Sequence, residues 1–134
     1  MKIALGLGCD RNTPLATVKT AIGAALAACG ATWNDIQAVA SIDLKADEPA
    51  LLQLAAEHGW TIRFYKAQEL ATIDVPNPSE TVRKHTGTPS VSEAAALLAA
   101  QPVTPDKTNL IIEKHRHCGP DGRNATVSIA RIPE

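Results

Sequence analysis

The sequence predicts an α/β domain, a three-layer α/β/α sandwich around a mixed, mostly parallel sheet of about five strands. Three observations carry this expectation. Up to Tyr65 the chain alternates short apolar runs with helical patterns in the order βαβαβ, which implies parallel strands joined by right-handed crossovers. Two polar handovers, Gly6-Leu7-Gly8-Cys9-Asp10-Arg11-Asn12-Thr13-Pro14 and Ser41-Ile42-Asp43-Leu44-Lys45-Ala46-Asp47-Glu48, each follow an apolar run and precede a helical pattern. The chain closes with two β-type segments separated by turn residues, the signature of a C-terminal antiparallel hairpin.

Each element has a local reason. Ile3 to Leu7 reads as a first strand. Thr13 reads as the N-cap of the next helix and Pro14 as its first residue. Leu15, Val18, Ile22, Ala25, Leu26 and Cys29 then recur at helical steps and form one apolar face, which Gly30 terminates. Gly23, Ala24 and Ala28 are small enough for that helix to pack closely on a sheet. Trp33 to Ile36 reads as a short helical turn. Ala38 to Leu44 reads as a second strand, with Ala38, Ala40, Ile42 and Leu44 on one face. Asp47 is expected to cap the following helix and Pro49 to open it, with Leu51, Leu52, Leu54 and Ala55 on its buried side and Gly59 at its end. Thr61 to Tyr65 is a third strand, rich in β-branched and aromatic residues. Ala67 to Ala71 is a brief helix.

A composition shift follows. Val75-Pro76-Asn77-Pro78-Ser79 cannot continue a helix or a central strand. Ser79 is expected to cap a helix ending near His85. Thr86-Gly87-Thr88-Pro89-Ser90 is a second punctuated loop. Ser90 and Glu93 have the spacing of a capping box, and Val91 to Ala100 reads as a deeply packed helix. Pro102 and Pro105 bracket a loop. Asn109 to Lys114 and Ala125 to Ile132 are the closing strands, with Cys118-Gly119-Pro120-Asp121-Gly122 as turn chemistry between them. One domain spans 1–134.

Composition bounds the function. Thirteen basic residues nearly cancel fourteen acidic ones, which leaves no overall footprint for nucleic acid or an anionic membrane. Aromatics make up 3% of the chain, so the core must be mostly Ala, Leu, Val and Ile. No apolar stretch is long enough to span a membrane. Met1-Lys2-Ile3-Ala4-Leu5-Gly6 reads as a buried strand rather than a signal peptide, so a cytoplasmic location is expected. Cys9, Cys29 and Cys118 form neither a zinc pattern nor a disulfide framework and are expected to be reduced thiols.

Four constellations can carry chemistry. Gly6 and Gly8 let backbone approach a ligand, and Cys9, Arg11 and Thr13 follow at the start of a helix, where free N–H groups attract anions. Arg11 adds a fork for carboxylate or phosphate. A dinucleotide fingerprint would need glycine at Arg11, and the phosphate-loop Gly-Lys-Ser/Thr is missing. A plain strand-to-helix turn is the alternative. Asp43, Lys45, Asp47 and Glu48 form the second set. On a strand Asp43 and Lys45 share a side, and a charged pair at a strand end suits acid–base work. A salt-bridged rim and helix cap is the alternative. Asn77 with Ser79, and Gly87 and Thr88 with Ser90, open two helices that can face a polyanion together, or are plain capping chemistry. His115, His117 and Cys118 would need more ligands to hold a metal. They read as an exposed hairpin loop, and no metal or cofactor site is expected.

Taken in order, the two handovers, Asn77-Pro78-Ser79, the run Gly87 to Ala96 and the closing run Ala125 to Arg131 resemble the CobE and CbiG C-terminal domain family of cobalamin biosynthesis. The resemblance runs from Gly6 to Arg131. It implies a place in vitamin B12 synthesis. CbiG-type proteins open a lactone on a cobalt-precorrin ring and release the extruded carbon. With Met1 just before the first strand, the free-standing CobE type of the aerobic route is expected. A precorrin is a large ring rimmed by carboxylates. Such a ligand would be held by Gly6, Gly8, Cys9, Arg11, Thr13, Ser41, Lys45, Asn77, Ser79, Gly87, Thr88, Ser90 and Lys114, of which Lys114 matches a basic position in the family. Asp43 and Glu48 are the one proton-transfer pair in reach. The expected partners are a tetrapyrrole ligand and other enzymes of the pathway. The alternatives are a lactone-opening hydrolase component and a non-catalytic module that docks on pathway methyltransferases.

Overall fold

Alternating side chains on the first strand divide the interior into two layers. The computed structural model describes residues 1–100 and 104–133. In it β1 (Ile3–Cys9) turns Ile3, Leu5 and Leu7 to one face and Ala4 to the other. The first face packs on α1 (Leu15–Cys29) and α2 (Pro49–His58). The second packs on α5 (Ser92–Ala99). The short α3 (Ala67–Ala71) adds Leu70 to that second layer. The three-layer sandwich is therefore as the sequence predicts, and both cores are built almost wholly of aliphatic side chains.

The sheet holds β3 (Arg63–Tyr65), β2 (Ile36–Ile42), β1, β5 (Asn124–Arg131) and β4 (Leu110–Cys118), in that order. β1 and β3 pair parallel with β2, while β5 runs antiparallel to both β1 and β4. β5 alone runs against the other strands. The closing hairpin thus inserts its second strand beside β1 and leaves its first at the edge. Gly119 donates its N–H to the Arg123 carbonyl at 2.8 Å across the turn, and Gly122 adopts a positive φ of 83°.

Several local expectations need correction. Pro14, not Thr13, is the N-cap residue of α1, and the Thr13 hydroxyl donates to the Asp10 carbonyl at 2.7 Å. Ala24 and Ala28 are exposed and a Cβ at Gly23 would meet nothing within 4 Å, so the sheet contact of α1 runs along Val18, Ala21, Ile22 and Ala25 instead. β2 stops at Ile42, and Asp43–Lys45 form a 3-10 turn, so Asp43 and Lys45 do not alternate along a strand and Leu44 is exposed. Glu48, not Asp47, occupies the N-cap of α2, without a capping side-chain bond. Leu52 is exposed because it follows Leu51 around the helix, away from the sheet. Ser90 and Glu93 form no capping box, since α5 starts at Ser92 and the Ser90 hydroxyl donates to the Glu93 carboxylate at 3.2 Å. β4 continues through His115, His117 and Cys118, which therefore lie on a strand and not in the hairpin loop. Pro102 lies outside the described residues.

The tightest packing is between α5 and β1. A Cβ built on Gly6 would sit 1.8 Å from the Ser92 carbonyl oxygen and 2.6 Å from the Ala96 nitrogen. Helix backbone thus rests directly on strand backbone, with Ala94, Ala95, Ala96 and Ala99 around the contact. Gly6→Ala would force the helix off the sheet. We expect a stability loss of about 3 kcal/mol, the upper end of overpacking costs, in a urea titration. Gly8→Ala, whose Cβ would meet only Val91 at 3.9 Å, is the control and should fall much less. Equal stabilities would contradict this packing.

Candidate functional site

The two handovers meet through one buried carboxylate. Beyond β1 the chain turns through Asp10, Arg11 and Asn12, and Asn12 takes a positive φ of 64°. That conformation costs little for asparagine. It aims the Asn12 N–H at Glu48 Oε1, 2.7 Å away. Arg11 reaches across as well. Its guanidinium donates to Glu48 Oε2 at 2.7 Å, to Asp47 Oδ1 at 2.9 Å and to the Leu44 carbonyl at 2.8 Å. Glu48 has no solvent exposure, while Arg11 is about half exposed. The bond to Arg11 holds the Asp47 carboxyl below its usual range and raises the Arg11 guanidinium further. Asp10 closes the other side, where Oδ2 accepts from the Asn124 backbone N–H at 2.8 Å and ties the loop to β5.

Above this junction lies an open cleft of about 560 Å³ at the carboxyl ends of β1 and β2. Ile42, Leu44, Val82 and Val91 supply its apolar surface. Arg11, Lys45, His85, Lys114 and Arg116 supply its basic surface, and Asp10 is the one acid among the described residues that line it. Arg11, Lys45, Lys114 and Arg116 come from three elements, the loop after β1, the 3-10 turn after β2 and β4, while His85 stands on α4 (Glu80–Thr86). Lys45 and Arg116 make no side-chain hydrogen bond or ion pair among the described residues, and Lys114 donates only to the Asn77 carbonyl at 3.3 Å. Cations on more than one wall, two of them without a partner among the described residues, suit a ligand with several carboxylates.

Of the residues singled out in the sequence, Gly8, Cys9, Arg11, Lys45 and Lys114 line this cleft. The others lie elsewhere. Gly6 is pressed under α5. Thr13 is buried against Asp10, and the buried Ser41 hydroxyl donates to the Leu7 carbonyl at 2.7 Å. Asn77 bridges Glu93 and Glu113 through its amide at 2.7 and 3.1 Å. Ser79 Oγ accepts from the Val82 N–H at 3.2 Å, as expected of a cap. Gly87 ends α4 with a positive φ of 84°. Thr88 and Ser90 are buried beneath it. Asp43 is exposed outside the cleft, and Glu48 is enclosed by its own partners.

The sequence reading misses Arg116, His85, Thr126 and Asn124. Arg116 and Thr126 pair across β4 and β5, while His115 and His117 pair with Val127 and Ala125 on the α1 face. Alternation of Lys114 with Arg116 is the signal that finds the first of these, once β4 is carried past Lys114. No group of three or more His, Cys, Asp or Glu among the described residues is arranged to hold a metal ion.

The model of the family described as cobalamin synthesis G C-terminus matches residues 3–130. The chain belongs to this cobalamin synthesis G C-terminal family. It is accordingly a cobalamin biosynthesis protein. A cobalt-precorrin-5A hydrolase from Priestia megaterium is 37% identical over 131 residues, covering 98% of this chain and 32% of that protein. Protein CobE from Sinorhizobium sp is 41% identical over 100 residues, covering 73% of this chain and 65% of its own. The chain thus spans about a third of the first relative and somewhat under two thirds of the second. The crystal structure of CobE, from the cobalamin biosynthetic pathway, superposes with a TM-score of 0.78 at 26% identity, covering 99% of this chain and 93% of that one. Cobalamin biosynthesis protein chiG from Agrobacterium tumefaciens gives 0.67 at 28% identity, covering 98% and 99%. These likenesses carry the mixed five-stranded α/β fold of the family. No helix among the described residues is long and apolar enough to cross a membrane.

Two outcomes follow for this family member. Glu48→Gln keeps the shape but loses the charge that organises both handovers, and should cost about 2 kcal/mol, the worth of a hydrogen bond to a charged group, in urea denaturation. A cost near zero would contradict its bridging role. Burial pushes the Cys9 thiol up to about 11, with Glu48 and Asp10 adding to the rise and Lys45 opposing it. Cys9 therefore stays protonated near neutral pH. Iodoacetamide should label the exposed Cys118 first at about pH 8, and labelling of Cys9 should grow only as pH rises toward its own pKa. Mass-spectrometric mapping of the alkylated peptides reads both rates.

Proposed function

We propose that the cleft binds a carboxylate-rimmed precorrin or corrinoid during corrin-ring formation. The observation that carries this is the convergence of Arg11, Lys45, Lys114 and Arg116 from three parts of the fold on one cleft with aliphatic walls. Acid arms of the macrocycle meet the cations, and its apolar face lies against Ile42, Leu44, Val82 and Val91. In this reading Glu48 acts through Arg11, holding the guanidinium at the rim, and is not the proton donor. Asp43 has no part in it. Membership in a cobalamin-biosynthesis family supports the ligand class.

A second reading is favoured by the 37% identity to a protein named cobalt-precorrin-5A hydrolase. There the same cleft holds a lactone precorrin, and the hydrolytic groups come from sequence outside this unit, since two thirds of that relative lies beyond the match. It predicts acetaldehyde release only with a complementary partner protein present, and no release from this chain alone.

A visible-absorbance titration with hydrogenobyrinic acid tests the first reading. Saturation at one equivalent is expected. Because several ion pairs are made, affinity should fall steeply with salt. Replacing both Lys114 and Arg116 with Ala should weaken binding by roughly 100-fold, at about tenfold per lost charge-assisted contact. Both side chains are on the cleft surface of an edge strand, so the fold should survive the change. A flat titration would sink the reading and favour a module that docks on other enzymes of the pathway.

A further inference from the structure

One wall of the cleft is built differently from the rest. α4 has no buried residue, and none of its side chains belongs to either apolar core. It has seven residues, too few to be a stable helix by propensity alone. Its order comes from its ends. Ser79 caps it through Val82, and Gly87 donates to the Arg83 carbonyl at 2.9 Å. Below it the chain is fixed. The Ser79 N–H donates to the Pro89 carbonyl at 2.8 Å, closing a neck under the whole segment. On either side of that neck, Asn77 is tied to the buried Glu93, and Thr88, Pro89 and Ser90 are buried. Above the neck, Thr81, Val82, His85 and Thr86 form one helical stripe, and all of them line the cleft.

We propose that α4 is a lid, which opens as a unit on the Ser79–Pro89 neck and closes its Thr81–Val82–His85–Thr86 face over the ligand. This rests on the cleft being the ligand site. A helix outside both cores, held by its caps, the neck and the Thr86 hydroxyl near the Val82 and Thr88 carbonyls (2.7 and 3.0 Å), has low local stability, as a moving element must, while the walls bearing Lys45, Lys114 and Arg116 belong to the sheet side. Closure adds the half-buried Val82 and Thr86 to the ligand's apolar contact and excludes water from the ion pairs beneath.

Hydrogen exchange of the free chain gives the first test. Amides of Arg83 to Gly87 should exchange roughly 100-fold or more faster than those of α5. Equal protection would overturn the lid without any ligand being needed. The second test adds hydrogenobyrinic acid, with binding confirmed independently by absorbance. Exchange in α4 should then slow at least tenfold, and trypsin should no longer cut after Arg83 or Lys84 while still cutting after Lys107. Confirmed binding with unchanged α4 exchange would remove the lid and leave the cleft reading standing. No absorbance change would remove the cleft reading and closure with it. Val82→Ser, on the exposed helix, should raise the ligand off-rate roughly tenfold, as expected for a lost buried apolar side chain. The on-rate should hold, and an unchanged off-rate would count against closure.

Discussion

The structure depends on the direct contact of α5 with the central strand at Gly6. Helix backbone meets strand backbone there, with the Ser92 carbonyl where a side chain would otherwise stand. The contact sets the height of α5 over the sheet, and with it the choice of small residues around it: Ala4, Ala40, Ala130 and Ser128 below, Ala94, Ala95, Ala96 and Ala99 above. It also explains two of the polar groups buried at this layer. At that distance Ser92 and Ser128 are close enough to satisfy each other, 2.9 Å apart, and Ser128 also donates to the Glu113 carbonyl on β4. The helix is thereby tied to the strand that carries Lys114 and Arg116.

Glu48 plays the corresponding part on the other side of the cleft. A buried carboxylate is costly unless fully engaged. Here it is engaged by the Arg11 guanidinium and the Asn12 amide. Both partners come from the loop after β1, and Glu48 itself opens α2. The bond therefore fixes one handover against the other and leaves Arg11 half exposed at the rim. A residue that reads in sequence as a candidate acid is in the fold the reason a cation stands where it does.

Much of the fold is legible because the periodic signals are strong and local. The α1 face, Gly30 and Gly59 as left-handed helix ends, the Ser79 cap and the closing hairpin all follow from neighbouring residues. What fails is either ambiguous in pattern or settled at long range. Alternation cannot say that β5 inserts between β1 and β4, because either strand of the hairpin could pair with β1. Asp43 and Lys45 fit a strand as well as a 3-10 turn, and the contact that accompanies the turn, Arg11 donating to the Leu44 carbonyl, is distant in sequence. Ser90 and Glu93 have capping-box spacing, yet Asn77, distant in sequence, competes for the same carboxylate. For the site, the two polar handovers, the first of them bearing glycine, point to Gly8, Cys9, Arg11 and Lys45. They say nothing of His85 or Arg116, which reach the cleft only through tertiary placement.

The division of labour around the cleft follows from where the packing lies. Sheet and adjoining turns are anchored by the two aliphatic cores and by Glu48, so the cations they carry have fixed spacing. Fixed spacing is what discriminates among ligands whose charged arms differ in position, since a misplaced carboxylate leaves a cation unpaired. α4 has no share in either core. Its side chains toward the cleft are Thr, Val and His, which add contact and little permanent charge. In the proposed reading, recognition by charge falls to the anchored walls and enclosure to α4. A chain short of aromatic residues thus pairs cations on anchored walls with an aliphatic cleft surface.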